Sequence, residues 1–200
     1  MRSADQASAG DFRMNRISVV GTSGAGKTTF AARLAGILRV PHVELDALHW
    51  EADWVEAQTE VFRSRVREAI SADCWVVDGN YSKRARDLVW KRADTVIWLD
   101  FSFPVILSRV VRRTFRRLVL REECCNGNKE KWNLTFSRDS IIMWALQSYK
   151  RHREDYPPLL RSLEQRGVQT ITLRSPKEAD RWLAQLAGLA AGVRSFAQEI

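Results

Sequence analysis

Residues 21–28, Gly21-Thr22-Ser23-Gly24-Ala25-Gly26-Lys27-Thr28, fit the pattern G-x-x-x-x-G-K-[ST]. An apolar run, RISVV at 16–20, precedes them. A helical pattern follows, in which Phe30, Leu34, Ile37 and Leu38 recur at helical spacing. Glycine loses more chain entropy on folding than any other residue, so a glycine-rich turn here needs a use for bare backbone. An anion supplies it. Main-chain N–H groups curl around a phosphate without Cβ clashes, and the first turn of the helix points its positive dipole end at the same spot. Gly21, Ser23, Gly24, Ala25, Gly26, Lys27, Thr28 and Thr29 are therefore the expected nucleotide-binding residues. Lys27 is placed to reach the β- and γ-phosphates of ATP, and the Thr28 hydroxyl to help hold Mg²⁺.

A strand, a phosphate turn and a helix fix the start of an α/β unit, and the rest of the chain continues it. Strand patterns occur at 16–20, 42–45, 74–78, 95–99 and 169–173. Helical patterns lie between them at 27–38, 58–71, 82–91, 104–121, 138–152 and 157–166, with a last one at 176–187. Alternation of this kind predicts a parallel sheet covered by helices. Ser175-Pro176-Lys177-Glu178 reads as a cap, a first-turn proline and a capping-box glutamate, and Gly167 as a helix stop. Residues 1–13 read as a flexible extension, 14–188 as one domain, and 189–200 as a weakly patterned tail.

Charge placement narrows the partner. The net charge is +8, and residues 109–153 hold twelve Lys or Arg against four Asp or Glu, while the rest of the chain balances at twenty of each. A local positive field calls for an anionic partner. No apolar run is long enough to span a bilayer, and residues 1–13 lack the apolar centre of a secretory signal. Cys74 reads as a core residue, and the adjacent Cys124 and Cys125 lack zinc-site spacing. The composition fits a reduced, cytoplasmic protein.

The run WVVDGNY at 75–81 ends a strand in Asp78, which puts a carboxylate at the ligand-binding edge of an open α/β sheet. If the 74–78 strand lies beside 16–20, Asp78 faces Thr28 and serves the Mg²⁺ site. Gly79 and Asn80 follow in place of the glutamate of motor-type ATPases, and Asn128-Lys129-Glu130-Lys131 lacks the aspartate of a guanine-reading motif. Small-molecule phosphoryl transfer is the reading that remains.

The P-loop, the strand ending in Asp-Gly, and the RADTVIWLD run (92–100) resemble the nucleoside monophosphate kinase group typified by adenylate kinase. LDALHW (45–50) and DGNY (78–81) are similar to segments of its small "DNA topology modulation protein" relatives, over residues 15–187. The resemblance implies a three-layer P-loop NTPase fold with a five-stranded parallel sheet in the order 2-3-1-4-5. It also implies a basic helical lid, about 116–140, whose arginines stabilise the transferring phosphoryl group. Where adenylate kinases carry D-G-F-P-R, this chain has D-G-N-Y, and Arg84 comes too late to match that arginine.

Acceptor residues are expected at the second strand. Asp46, taken to end that strand, suits a base or a hydrogen-bond acceptor for a substrate hydroxyl, as in shikimate kinase. Trp50 suits stacking, and Asn80, Tyr81, Arg138 and Arg151 complete the expected substrate set. His42 and His49 read as structural, because this chemistry needs no histidine. In VILSRVVRRTFRRLVLR (105–121), Arg109, Arg112, Arg113, Arg116 and Arg117 share one helix face, with Leu107, Val110, Val111, Thr114 and Leu118 largely on another. Arg116, Arg117 and Arg121 are the expected catalytic arginines beside Lys27 and Asp46, with Arg138, Arg151 and Arg153 second candidates. The leading reading is an ATP-dependent phosphotransferase acting on a small acceptor such as a nucleotide. The alternative is a nucleotide-gated nucleic-acid binder, or a polynucleotide 5′-hydroxyl kinase, in which Trp132, Phe136 and Trp144 accompany the basic segment.

Overall fold

The computed structural model describes residues 14–120 apart from Lys83, residues 126 and 128, and residues 141–198; side chains at 117, 118, 120, 141–146 and 193–198 are not among those described. The elements are β1 (Arg16–Gly21), α1 (Lys27–Leu38), β2 (His42–Glu44), α2 (Leu45–His49), α3 (Thr59–Ala69), β3 (Trp75–Asp78), α4 (Arg86–Arg92), β4 (Thr95–Leu99), α5 (Phe103–Leu120), α6 (Ile141–Gln165), β5 (Gln169–Leu173) and α7 (Pro176–Gln198). The five strands form one parallel sheet in the order β2-β3-β1-β4-β5, as expected.

Alternation along β1 builds the layers. Ile17 and Val19 face one side and pack with Leu34 and Ala31 of α1, Ile106 and Val110 of α5, and Leu183 of α7. Val20 faces the other side and joins Phe62 and Val66 of α3, Trp90 of α4, and Tyr156, Leu160 and Leu163 of α6. Both faces of the central strands are therefore buried, which is why β1, β3 and β4 read as near-continuous apolar runs. Ser18, buried on the second face, accepts a hydrogen bond from Trp90 Nε1 at 3.2 Å.

Four expectations change. Strand β2 stops at Glu44, and Asp46 lies in the first turn of the short helix α2, where a carboxylate meets the positive helix end. The patterns at 138–152 and 157–166 belong to one helix, α6, which runs through Pro157 and Pro158. Burial of Tyr156, Leu160 and Leu163 on both sides of that pair outweighs the two missing amide donors. Helix α7, expected over 176–187, continues past Gly188 to Gln198. Cys74 lies just before β3 and is half-buried rather than a core residue. The expected cap holds: Ser175 Oγ accepts from the Glu178 amide at 3.2 Å, and Glu178 reaches back to the Arg174 amide at 2.7 Å.

Gly79 follows β3 with φ +133°, and a Cβ there would stand 2.8 Å from Leu45 Cβ. Only glycine fits both the dihedral and the space. The extension 1–13 lies outside the described residues, as do Cys124, Cys125, Trp132, Phe136, Arg121 and Arg138, and most of the expected lid.

Leu34 is fully buried at the centre of the first layer. Replacing it with alanine is expected to lower the unfolding free energy by about 2–5 kcal/mol in urea titrations, and a loss under about 1 kcal/mol would contradict this packing.

Candidate active site

The phosphate turn lies between β1 and α1, at the carboxyl edge of the sheet. Gly26, the N-cap of α1, has φ +87° and ψ +30°; no side chain caps the helix and no acid occupies its first turn. The first amides of a twelve-residue helix are thus left for an outside anion. Inside the turn the Ala25 amide donates to the Thr22 carbonyl at 3.0 Å. Gly24, also at φ +87°, packs so tightly on α5 that a Cβ would stand 2.6 Å from Val110 Cγ2.

Lys27 Nζ lies 3.5 Å from the Thr22 carbonyl, inside the turn. Its crowded surroundings lower its pKa from the usual lysine value; Asp46 and Asp78 pull it back up in part, and Arg113 adds to the lowering. These interactions place both aspartates and Arg113 around one ammonium.

The pairing of β1 with β3 sets Val19 opposite Asp78. Asp78 is 3% exposed, and its Oδ1 accepts from the Thr28 hydroxyl at 3.1 Å. The expected meeting of these two residues is observed. Its other oxygen is 2.8 Å from His42 Nε2, so His42, expected to be structural, stands inside the site. Glu44 lies close by, its pKa raised first by burial and then by Asp78 and Asp46.

Asp46 is exposed, and its Oδ1 accepts from the Tyr81 hydroxyl at 2.8 Å. This brings two of the expected substrate residues together. Asn80, expected to face an acceptor, instead turns onto the phosphate turn. Its Nδ2 donates to the Gly21 carbonyl at 2.8 Å and its Oδ1 accepts from the Gly21 amide at 3.1 Å. Trp50 is half-buried; its ring meets Trp54 edge-on at 5.5 Å and the buried His49 at 4.7 Å. His49 also packs against Phe62 and Tyr81, at 5.2 Å and 4.5 Å. Beside this aromatic wall the arginines are tied. Arg63 grips both oxygens of Asp87 at 2.9 and 2.7 Å, and Arg65 pairs with Glu51 at 3.0 Å. Arg84 pairs with Glu56 at 2.9 Å and with the Ala57 carbonyl. Asn128, from the expected lid, accepts from the Trp54 amide at 2.8 Å and donates to the Glu51 carbonyl at 2.9 Å.

The arginine stripe divides. Arg109 Nη1 donates to the Ala25 carbonyl at 2.8 Å, and Arg113 Nη2 lies 3.4 Å from Ser23 Oγ. Both therefore sit on the phosphate turn; the sequence places them in the arginine stripe, but the catalytic set expected from it was Arg116, Arg117 and Arg121. Arg112 and Arg116 are exposed, and the Arg117 side chain is outside the described residues. Val111, expected on the apolar face, is 47% exposed and lines up with Phe115 and Val119 on the outer surface of α5. On α6, Arg151 is exposed, while Arg153 pairs with Asp100 at 3.3 Å.

Beside Arg151, His152 is buried, with its Nδ1 3.3 Å from Thr22 Oγ1. Burial, with Lys27 and Arg151 near, lowers its pKa to about 4, against a smaller opposing pull from Asp155. Among the described residues no group of three or more His, Cys, Asp or Glu could hold a metal ion, and no helix is long and apolar enough to cross a membrane.

No family model and no curated protein matches the sequence. Solved structures do. A shikimate kinase from Bacteroides thetaiotaomicron aligns with TM-score 0.50 and 18% identity over 88% of this chain and 97% of that one. A shikimate kinase from Acinetobacter baumannii in complex with shikimate aligns with TM-score 0.51 and 20% identity over 94% of each chain. The fold is that of the P-loop kinases. The likeness spans nearly the whole length of those enzymes.

The depressed pKa of His152 has a stability consequence. On acidification from about 6.5 to about 4 the unfolded chain takes up a proton at this residue and the folded chain does not. Stability contributed by neutral His152 is therefore present above about pH 6.5 and is lost as the pH falls towards 4. Between pH 7 and 4.5 the wild type should lose about 2–3 kcal/mol more than His152→Asn in urea unfolding. Equal losses in the two proteins would contradict the burial of a neutral ring.

Proposed function

We propose that this protein is an ATP-dependent phosphotransferase that moves the γ-phosphoryl group of ATP to a hydroxyl of a small, uncharged acceptor. The observation that carries the reading is the convergence of Lys27, Asp78 and Asp46 on a phosphate turn with an uncapped helix behind it. A hydroxyl and a carboxylate, Thr28 and Asp78, are the hard oxygen donors that Mg²⁺ takes from proteins when it keeps most of its waters. Bound there, the ion would supply positive charge to the phosphate oxygens. The LDALHW, DGNY and RADTVIWLD segments support a place among the adenylate kinase relatives described as DNA topology modulation proteins.

In this reading the amides of residues 22–26 bind the β-phosphate, and Lys27 spans the β- and γ-oxygens. Arg109 and Arg113 add positive charge beside the same oxygens, where charge spreads as the phosphoryl group moves. Tyr81 donates to one oxygen of Asp46 and leaves the other to take the acceptor's proton. The acceptor oxygen then forms its bond to the γ-phosphorus while the bond to the β-bridging oxygen breaks, and ADP leaves.

The acceptor's charge class follows from the walls. Asp46 and Glu44 are acidic, and Arg63, Arg65 and Arg84 are each held by a carboxylate of this chain. Among the described residues of this wall, an anionic acceptor would face these carboxylates with the arginines already paired. Trp50, Trp54 and Tyr81 favour a flat or ring-bearing alcohol, with aromatic faces to stack on. The alternative, nucleic-acid binding, is weakened by the inward turn of Arg109 and Arg113, two of the arginines that motivated it.

The test is ADP formation with matched acceptors that differ by one anionic group: nucleosides against their monophosphates, hexoses against hexonates, shikimate against its methyl ester. Turnover of neutral members is expected, with Asp46→Asn lowering kcat by about a hundredfold or more and leaving MgATP affinity within about threefold. Preference for the anionic members would reverse the acceptor assignment. Undiminished turnover in Asp46→Asn would remove Asp46 as the base.

A further inference from the structure

Helix α6 packs its middle against the phosphate turn. Its inward side carries Ser148, His152 and Tyr156 at four-residue spacing, all buried, before it becomes apolar at Leu160 and Leu163. A helix that only covered a sheet would put aliphatic side chains at those positions, because a buried polar group left without a partner is destabilising. The two aromatic members of this ridge have partners, and both connections end on the turn.

His152 Nδ1 meets Thr22 Oγ1 at 3.3 Å. The Tyr156 hydroxyl donates to Asn80 Oδ1 at 3.1 Å. The same oxygen accepts the Gly21 amide, and Asn80 Nδ2 donates to the Gly21 carbonyl. Asn80 thus brackets one residue of the turn at two points. Gly21 fixes which way round the carboxamide sits, since its amide needs the oxygen and its carbonyl the nitrogen, and the Tyr156 hydroxyl braces that oxygen from the other side. The two rings of α6 lie 5.1 Å apart, and Tyr156 is braced by Trp98 at 5.4 Å. Gly21 and Thr22 are therefore held from one rigid patch, at the end of a turn that glycine would otherwise leave loose.

We propose that His152 and Tyr156 are positioning residues for the phosphate cradle. Through Thr22, and through Asn80 on Gly21, α6 holds the amides of residues 22–26 in the arrangement a polyphosphate needs, so that less ordering remains to be done on binding. This rests on the nucleotide-binding reading above and concerns how that site is controlled.

Calorimetric titration with MgATP and with magnesium tripolyphosphate tests this on the wild type, Tyr156→Phe, His152→Leu and His152→Asn. Tyr156→Phe and His152→Leu should each raise Kd by about tenfold, and by the same factor for both ligands, since the loss sits at the phosphates. His152→Asn keeps a hydrogen-bonding atom near the Nδ1 position and should stay within about threefold of the wild type. Unchanged Kd in Tyr156→Phe, whatever happens to its thermal transition, overturns the proposal; so does weaker binding of ATP with no change for tripolyphosphate. If His152→Leu fails to fold, Tyr156→Phe, which removes one oxygen and no volume, decides alone. Absence of heat with the wild type and either ligand would be a different failure, of the nucleotide reading itself, and would remove this proposal with it.

Discussion

Parallel hydrogen bonding between β1 and β3 sets Asp78 opposite Val19, one turn of chain below the phosphate cradle. A slip of one residue would send Asp78 to the other face and break its contact with Thr28, because strand side chains alternate. The register holds because both strands are buried on both faces, with Ile17, Val19, Val20, Trp75, Val76 and Val77 all at 2% exposure or less. Packing energy spent on the core therefore also fixes the distance between a hydroxyl and a carboxylate that the chemistry requires.

Around that pair the site gathers like charges that repel. Glu44, Asp46 and Asp78 share one sheet edge, while Lys27, Arg109 and Arg113 crowd the turn. Each set is tolerable because the other is near. His42 on Asp78 and Tyr81 on Asp46 satisfy the carboxylates further. The described side chains thus divide into a cationic cluster at the turn and an acidic cluster at the sheet edge. This division was not visible from the net charge of +8, which describes only the sum.

Sequence pattern was sufficient where local chemistry decides. The glycine spacing of 21–28, the alternation of strands and helices, and the β3 aspartate led to a parallel sheet and to the Thr28–Asp78 contact, while the strand order came from the family resemblance. It failed where tertiary burial overrides a local signal. The patterns at 138–152 and 157–166 read as two helices, yet α6 runs unbroken through Pro157 and Pro158 because residues on either side are buried. Asn80 was expected to face an acceptor, yet its partner, Gly21, lies 59 positions away. Arg109 and Arg113 were seen as part of a stripe, but only the approach of α5 to the turn separates them from Arg112 and Arg116. His152 and Tyr156 left one legible trace: two polar rings four apart on a helix whose same face continues as leucine.

The Asp-Gly pair after β3 also carries a packing restriction that has nothing to do with phosphate. Gly79 cannot gain a side chain while Leu45 occupies the space beside it, and Leu45 is itself 2% exposed in the second core layer. The two positions are locked together across the β2–β3 seam. A descendant that abandoned catalysis would still be obliged to keep this glycine for as long as it kept the leucine. The glycine is accordingly a requirement of the architecture, and only the aspartate half of the pair speaks to chemistry.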